Sequence, residues 1–323
     1  MINSVRNTVL SILNKNNYGY ISPQDFNLFA KQAQLDIFED YFYQYNYQLN
    51  KENARQSGTD YANISKTYAE VIDTFSVTKA LKKTVTSIPA YNNNFYLPSE
   101  LSTGETYFLI NKVLIYTKLL TSGEGRQNGG VLNTMVDVSA DFISSGVSVG
   151  DVVVNTANEE FAYVVSPPTN TVLILSDDIF SDEQTEPYRV YDADSIKISE
   201  RLTHDKVNLL NMGMNTKPSL IFPAYTEQGL FLTALPESVT DYGQVFAQYI
   251  RYPKAPKWTY ISLNAGEPSF DQSQPDFQDF ELPLEDEPSL VIKILQYAGM
   301  SIREMQPVQF ATQSEQKSDM DEK

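Results

Sequence analysis

The chain reads as an α+β protein, with an N-terminal helical hairpin and a C-terminal helix packed with β regions, plus a small inserted all-β domain, barrel or sandwich. Three observations predict this class. Apolar residues recur at three- and four-residue steps near the N-terminus, short β-branched runs replace that pattern from Val77 onward, and the helical period returns after Pro288.

Residues 2–14 place Val5, Val9, Leu10, Ile12 and Leu13 on a helical pattern, and the polar run Asn14 to Asn17 with Gly19 makes a turn. The next helix has a well-defined start. Ser22 is suited to cap it, Pro23 takes the first helical position where its missing N–H costs nothing, and Asp25 completes a capping-box spacing. Phe26, Phe29, Ala30, Ala33, Ile37, Tyr41 and Tyr45 then form an apolar stripe. A helix continuing to Ala54 spans about 50 Å. After Gly58, residues 60–75 offer a third helix through Ile64, Tyr68, Val71, Ile72 and Phe75.

The β-rich runs begin with Thr84 to Thr86, Thr106 to Ile110 and Lys112 to Lys118. The glycine-rich 121–130 lacks the Gly-Lys-Ser/Thr of a phosphate loop and reads as a flexible connector. Beyond it, strands are expected at Val152–Asn155, Phe161–Val165, Val172–Leu175 and Tyr188–Tyr191, then at Ser219–Phe222, Gly229–Ala234 and Gln244–Tyr252. In the final helix, Pro288 lies in the first turn, Leu290, Val291, Ile294, Leu295 and Ala298 form the apolar face, and Gly299 is the expected stop. The expected divisions are therefore 1–130 (helical hairpin and start of the β body), 131–194 (inserted β domain), 195–312 (β region and C-terminal helix) and 313–323 (disordered tail).

Composition narrows the chemistry. The 323 residues are 41% hydrophobic, enough for a substantial core, and the formal charge of −17 argues against wrapping a nucleic acid by phosphate neutralisation. There is no cysteine, His204 is the one histidine, no run is long and apolar enough to span a membrane, and no secretion signal is expected.

The candidate motifs are weak as catalytic or metal sites. Residues 14–25 match a calcium loop in length, with Gly19 sixth and Asp25 last. Asn14, Asn16 and Tyr18 stand where carboxylate ligands belong, so a plain turn between helices is expected. Ser199, His204 and Asp205 lie too close in sequence to converge easily as a triad. Acid pairs such as Asp177-Asp178 and Glu285-Asp286 are ordinary on a surface. The acid-rich 267–287 stretch reads either as a solvated loop or as the acidic wall of a channel or partner site. Arg251, Tyr252, Lys254, Lys257 and Trp258 alternate cations with aromatics, while Pro253 and Pro256 hold that segment extended. Packing or a subunit contact is favoured there over ligand stacking.

Three segments, VRNTVLSILNKNNYGYISPQDFNLFAKQAQLDIFEDYF, YIRYPKAPKWTY and EDEPSLVIKILQYAGMSIRE, together about a quarter of the chain, resemble ring proteins of the head–tail connector of crAss-like tailed phages infecting Bacteroidota. The resemblance implies a non-enzymatic virion protein that needs no cofactor or metal. It implies a homo-oligomeric ring, a dodecamer, that contacts the portal protein and neighbouring tail ring proteins, with DNA passing through the lumen without specific binding and no membrane partner. Assembly would occur in the host cytoplasm, and the mature location would be the virion. On that reading Phe26, Phe29, Phe38 and Phe42 serve helix packing, and Arg251, Tyr252, Lys254, Lys257 and Trp258 serve a subunit contact. The alternative is a capsid decoration or host-glycan-binding virion protein using Phe161, Tyr163, Tyr188 and Tyr191, although in strands these rings tend to be core.

Overall fold

The computed structural model describes residues 1–13, 21–55, 64–84, 93–100, 102, 104–158, 160–213, 215–262 and 268–302. The fold is α+β. The helices are α1 (Ile2–Leu13), α2 (Pro23–Arg55), α3 (Ile64–Asp73), α4 (His204–Asn211) and α5 (Glu287–Ile302). The first strands are β1 (Ser76–Ala80), β2 (Asn94–Tyr96), β3 (Tyr107–Tyr116), β4 (Leu119–Asn128) and β5 (Val131–Val136). Next come β6 (Val152–Asn155), β7 (Phe161–Tyr163), β8 (Val172–Ile174), β9 (Glu186–Tyr191) and β10 (Ile196–Arg201). The last are β11 (Ala224–Gln228), β12 (Phe231–Leu235), β13 (Val245–Arg251), β14 (Tyr260–Ser262) and β15 (Pro268–Phe270). Two compact units divide the chain, Met1–Phe75 with Tyr252–Lys323, and Ser76–Arg251.

In the first unit the helix signals act as read. The Ser22 hydroxyl accepts the Asp25 N–H at 3.1 Å and donates to the Asp25 carboxylate at 2.6 Å. Phe26, Ala30, Ala33, Ile37, Phe38 and Tyr41 are buried along α2, as are Ile2, Val5 and Val9 on α1. Among the described residues the expected α1–α2 hairpin does not pack directly: α5 packs on both α1 and α2 through the buried face of Leu290, Ile294, Leu295 and Ala298, while α3 packs on α2. Gly299 does not stop α5, which runs on to Ile302, because one glycine inside a helix costs only about 1 kcal/mol. The turn at 14–20, and with it most of the calcium-loop spacing, lies outside the described residues, as do Val85, Thr86 and the 313–323 tail.

The second unit holds two sheets. Seven strands run in the order β1-β13-β3-β10-β11-β12-β2, antiparallel except for β10 and β11. One face carries a core of Phe95, Val113, Ile115, Leu232, Val245, Ala247 and Tyr249. Six further strands run β7-β6-β9-β4-β5-β8, and the ends meet: Val164 bridges Leu175, the Val165 N–H donates to the Ile174 carbonyl at 2.9 Å and the Ser176 N–H to that of Tyr163 at 2.9 Å. The inserted β region is therefore a closed small barrel, filled by Met135, Phe142, Val153, Val164, Leu173, Tyr188 and Val190. Tyr116 stacks on Tyr191 with ring centroids 5.6 Å apart, and Phe161 meets Phe246 at 5.0 Å, packing the barrel against the larger sheet.

Two expectations are corrected here. The glycine-rich 121–130 is not a flexible connector: most of it is β4, so the barrel strands begin at Leu119 rather than at 131. Gly123 and Gly125 stand there because the barrel interior is already occupied. A Cβ on Gly123 would sit 2.5 Å from Asp137 Oδ2 and 3.0 Å from the Tyr188 hydroxyl, and one on Gly125 would sit 2.9 Å from Met135 Cγ. Gly129 and Gly130, with φ of 59° and 76°, then make the two-residue turn into β5 that right-twisted hairpins favour. Ser219–Phe222 is not a strand either. Prolines 218 and 223 flank it, and it closes as a turn in which the Ser219 N–H donates to the Phe222 carbonyl at 3.2 Å.

Gly123→Ala is expected to destabilise the protein by about 1–3 kcal/mol through overpacking, read by thermal or urea unfolding. A second prediction concerns Asp137. Burial pushes its carboxyl up, but the Ser139 hydroxyl and N–H and the Tyr188 hydroxyl donate to it and hold it below its ordinary value. A carboxylate depressed in the folded state adds stability above its unfolded pKa, and that stability is lost as pH falls through the folded one. Asp137→Asn should therefore cost stability at neutral pH, and the gap to the native chain should narrow toward pH ~3; a gap independent of pH would contradict this.

Candidate functional site

The segment Tyr252 to Tyr260 is the densest constellation in the helical unit. Pro253 and Pro256 cannot donate to a ladder, so the remaining backbone groups of this extended strap need other partners. Two amides on α2, seven residues and hence about two turns apart, supply several of them. The Asn27 carbonyl oxygen accepts the Trp258 N–H at 2.8 Å and its NH2 donates to the Trp258 carbonyl at 3.2 Å. Gln34 donates to the Lys254 carbonyl at 2.8 Å and accepts the Glu281 N–H at 3.1 Å, while Glu281 accepts the Lys254 N–H at 2.7 Å.

The same amides place Trp258 in the interior. Its indole is 2% exposed, donates from Nε1 to Asn3 Oδ1 at 3.1 Å, and stacks near Tyr260 and Phe270 at 5.6 and 5.9 Å. The Arg6 guanidinium lies 3.8 Å over the ring. A cation over tryptophan contributes about 0.5–2 kcal/mol, more as water is excluded. Trp258 is thus an internal anchor between α1 and α2.

The other expected residues separate by exposure. Phe26 and Phe38 are buried, Phe29, Phe42 and Tyr252 half-buried, and the Phe38 ring meets Phe42, Phe75 and Tyr252 at 5.2, 5.1 and 5.8 Å. Arg251 closes β13 in the other unit, 3.8 Å from Glu105. Lys254 and Lys257 are exposed, and Lys257 pairs with Asp276. Of the cation–aromatic set, these two lysines are the ones whose side chains face solvent.

The acid-rich stretch is neither a plain solvated loop nor a bare wall, because several of its acids are committed to internal hydrogen bonds. Asp279 accepts the Ile2 N–H at 2.8 Å, Glu287 accepts the Ser4 hydroxyl at 2.6 Å, Asp286 accepts the Tyr41 hydroxyl and Glu281 binds the strap. Tyr297 of α5 donates in turn to Asp36 of α2. Burial pushes both the Asp286 carboxyl and the Tyr41 phenol up. The acceptors Asp279, Asp286 and Glu287 were not legible in sequence, since these donors lie more than two hundred residues away.

Elsewhere the geometry offers less. Ser199 is buried in β10 while His204 and Asp205 open the exposed α4, and among the described residues no hydrogen bond joins them. Tyr188 and Tyr191 are core, Phe161 packs on Phe246, and Tyr163 alone of the four barrel aromatics is exposed. A cleft of about 410 Å³ in the β unit is lined by Lys79, Asn158, Glu160, Phe161, Asp177 and Asp178, and Asp178 already accepts two hydrogen bonds from Gln127. Among the described residues no group of three or more His, Asp or Glu is arranged to hold a metal ion, and no helix is long and apolar enough to cross a membrane. Compared with protein-family models and with curated proteins, the chain matches no family model and no curated sequence.

Trp258→Ala is expected to cost about 3–5 kcal/mol in urea unfolding, because it removes a large buried ring together with the donor to Asn3. Lys254→Ala, whose side chain is exposed, should leave unfolding within about 0.5 kcal/mol of native.

Proposed function

We propose that this chain is a non-enzymatic structural protein of a tailed-phage virion that forms a ring in the head–tail connector, extends the DNA channel and docks tail components. The observation that carries the reading is convergence. The three segments that bear the resemblance lie far apart in sequence, yet α1, α2 and the strap around Trp258 meet through Asn27, Gln34, Asn3 and Arg6, and α5 packs on α1 and α2 in the same helical unit, with residues 249–251 of the middle segment in β13 of the other unit. A shared pattern spread over three segments is more informative when those segments form one packed body.

Charge supports the same reading. A chain at −17 repels phosphates, so a lumen lined by it lets DNA slide without holding it. The portal protein and the neighbouring tail rings are the expected partners. The decoration or glycan-binding alternative draws less support, since most of the barrel aromatics it would use are packed inside.

Cross-linking mass spectrometry on purified particles tests the proposal, scoring links from Lys254, Lys257 and Lys293. Links to the portal and between copies of the chain are expected. Links to the major capsid protein alone would move the chain to a decoration role, and its absence from particles would discard the virion reading.

A further inference from the structure

The cleft in the β unit runs beside an open strand edge. β1 stands at one end of the seven-strand order, with β13 as its neighbour. Residues facing each other across an antiparallel pair alternate between exchanging both N–H···O bonds and exchanging none. Two bonds fix the phase here. The Leu81 N–H donates to the Val245 carbonyl at 2.8 Å and the Tyr116 N–H to the Gln244 carbonyl at 3.0 Å, so Val245 and Ala247 bond toward β1 while Gln244 and Phe246 bond toward β3. Thr78 and Ala80, opposite Gln248 and Phe246, therefore turn their N–H and C=O groups away from β13. Among the described residues these groups find no partner. Further along the same edge β2 supplies one: the Lys82 carbonyl accepts the Tyr96 N–H at 2.7 Å and the Thr84 N–H donates to the Asn94 carbonyl at 3.0 Å. The edge is covered beyond Ala80 and open before it.

Thr78 and Ala80 line the 410 Å³ cleft together with Glu160, Asp177 and Asp178. That volume lies within the span of ligand sites, about 300–1,000 Å³. All three acids are exposed, and their donors among the described residues are neutral: Asn158 to Glu160 at 2.8 Å, the Ser176 hydroxyl to Asp177 at 2.8 Å and Gln127 to Asp178 at 2.9 Å. Lys79, the cation in the lining, is already paired with Glu105 at 3.6 Å. The cleft thus joins unpaired strand groups to carboxylates that keep their charge.

We propose that the open edge of β1 takes up an extended segment of another protein as an added strand, one carrying Lys or Arg at alternate positions. The backbone of that segment pairs with Thr78 and Ala80, and its alternate side chains, roughly 6.5–7 Å apart on one face, reach Glu160, Asp177 and Asp178. A second copy of this chain is not the occupant, because no two of its Lys and Arg residues stand two positions apart. Strand addition at this edge is independent of the connector reading, which the virion cross-links judge separately.

Fluorescence polarisation of the full chain with a labelled TVKVKVT peptide tests this. Saturable binding is expected, weakening as salt rises from about 50 to about 300 mM, and a TVEVEVT peptide should not bind. Glu160→Gln/Asp177→Asn should raise the Kd about three- to tenfold with an unchanged unfolding transition, since both amides still accept from Asn158 and Ser176. Only alternate N–H groups of an added strand face its neighbour. Of two further peptides, one N-methylated at its lysines and one at its valines, a single one should therefore lose binding. No binding of TVKVKVT up to about 1 mM, affinity undiminished in the double variant, or an equal effect of the two methylations would each overturn the proposal.

Discussion

Two side-chain amides hold the ends of this chain together. The strap from Tyr252 to Tyr260 carries two prolines that interrupt any ladder, yet it seats Pro253, Pro256, Trp258 and Thr259 in the helical unit, where unpaired backbone groups are costly. Asn27 and Gln34 resolve that conflict because each offers a donor and an acceptor on one side chain, and their spacing puts both on the same face of α2. Once the strap is seated, Trp258 fills the space between α1 and α2, and the carboxylates that follow it can reach Ile2, Ser4 and Tyr41. The unit is therefore closed by residues from both ends of the sequence, and the β unit is inserted between them in the chain.

The barrel solves a different problem, that of closing six short strands around large side chains. Tyr188 reaches across the interior to Asp137 at 2.8 Å, and a strand passing beside that pair cannot carry side chains there. β4 meets the requirement with glycine at inward positions and recovers its stability from two neighbours, β9 and β5, instead of from its own packing. That same choice removes the β-branched signal by which a strand is ordinarily recognised.

Legibility followed from how local the determining physics was. The start of α2 was readable from Ser22, Pro23 and Asp25, because a cap is settled within four residues. The strand at Val152–Asn155 was readable because its three valines are β-formers, and it is buried on both faces. β4 was hidden, since its glycines are explained only by Tyr188 and Met135, which approach from other strands. Ser219–Phe222 misled in the opposite way: an apolar run signals burial, but here it lies on an exposed arm. At the candidate site the aromatic and cationic residues stood out by type, while the partners that give them roles, Asn3, Arg6, Asn27 and Gln34, are ordinary polar residues whose importance depends on contacts across more than two hundred positions.

Neutral donors hold several of the carboxylates: Asp286 and Glu287 accept hydroxyls and Glu281 a backbone N–H, as does Asp151 in the barrel, which accepts from Ser148 and Ala193, whereas Asp279 also takes the N-terminal ammonium at 3.0 Å and Asp276 pairs with Lys257. Lys or Arg partners would satisfy the same oxygens and also cancel their charge. Neutral donors satisfy the oxygens and leave the charge in place. The chain can thus fix many carboxylates in defined positions and still present a strongly negative field. On the proposed connector reading, carboxylates held by neutral donors would keep their charge toward a DNA path.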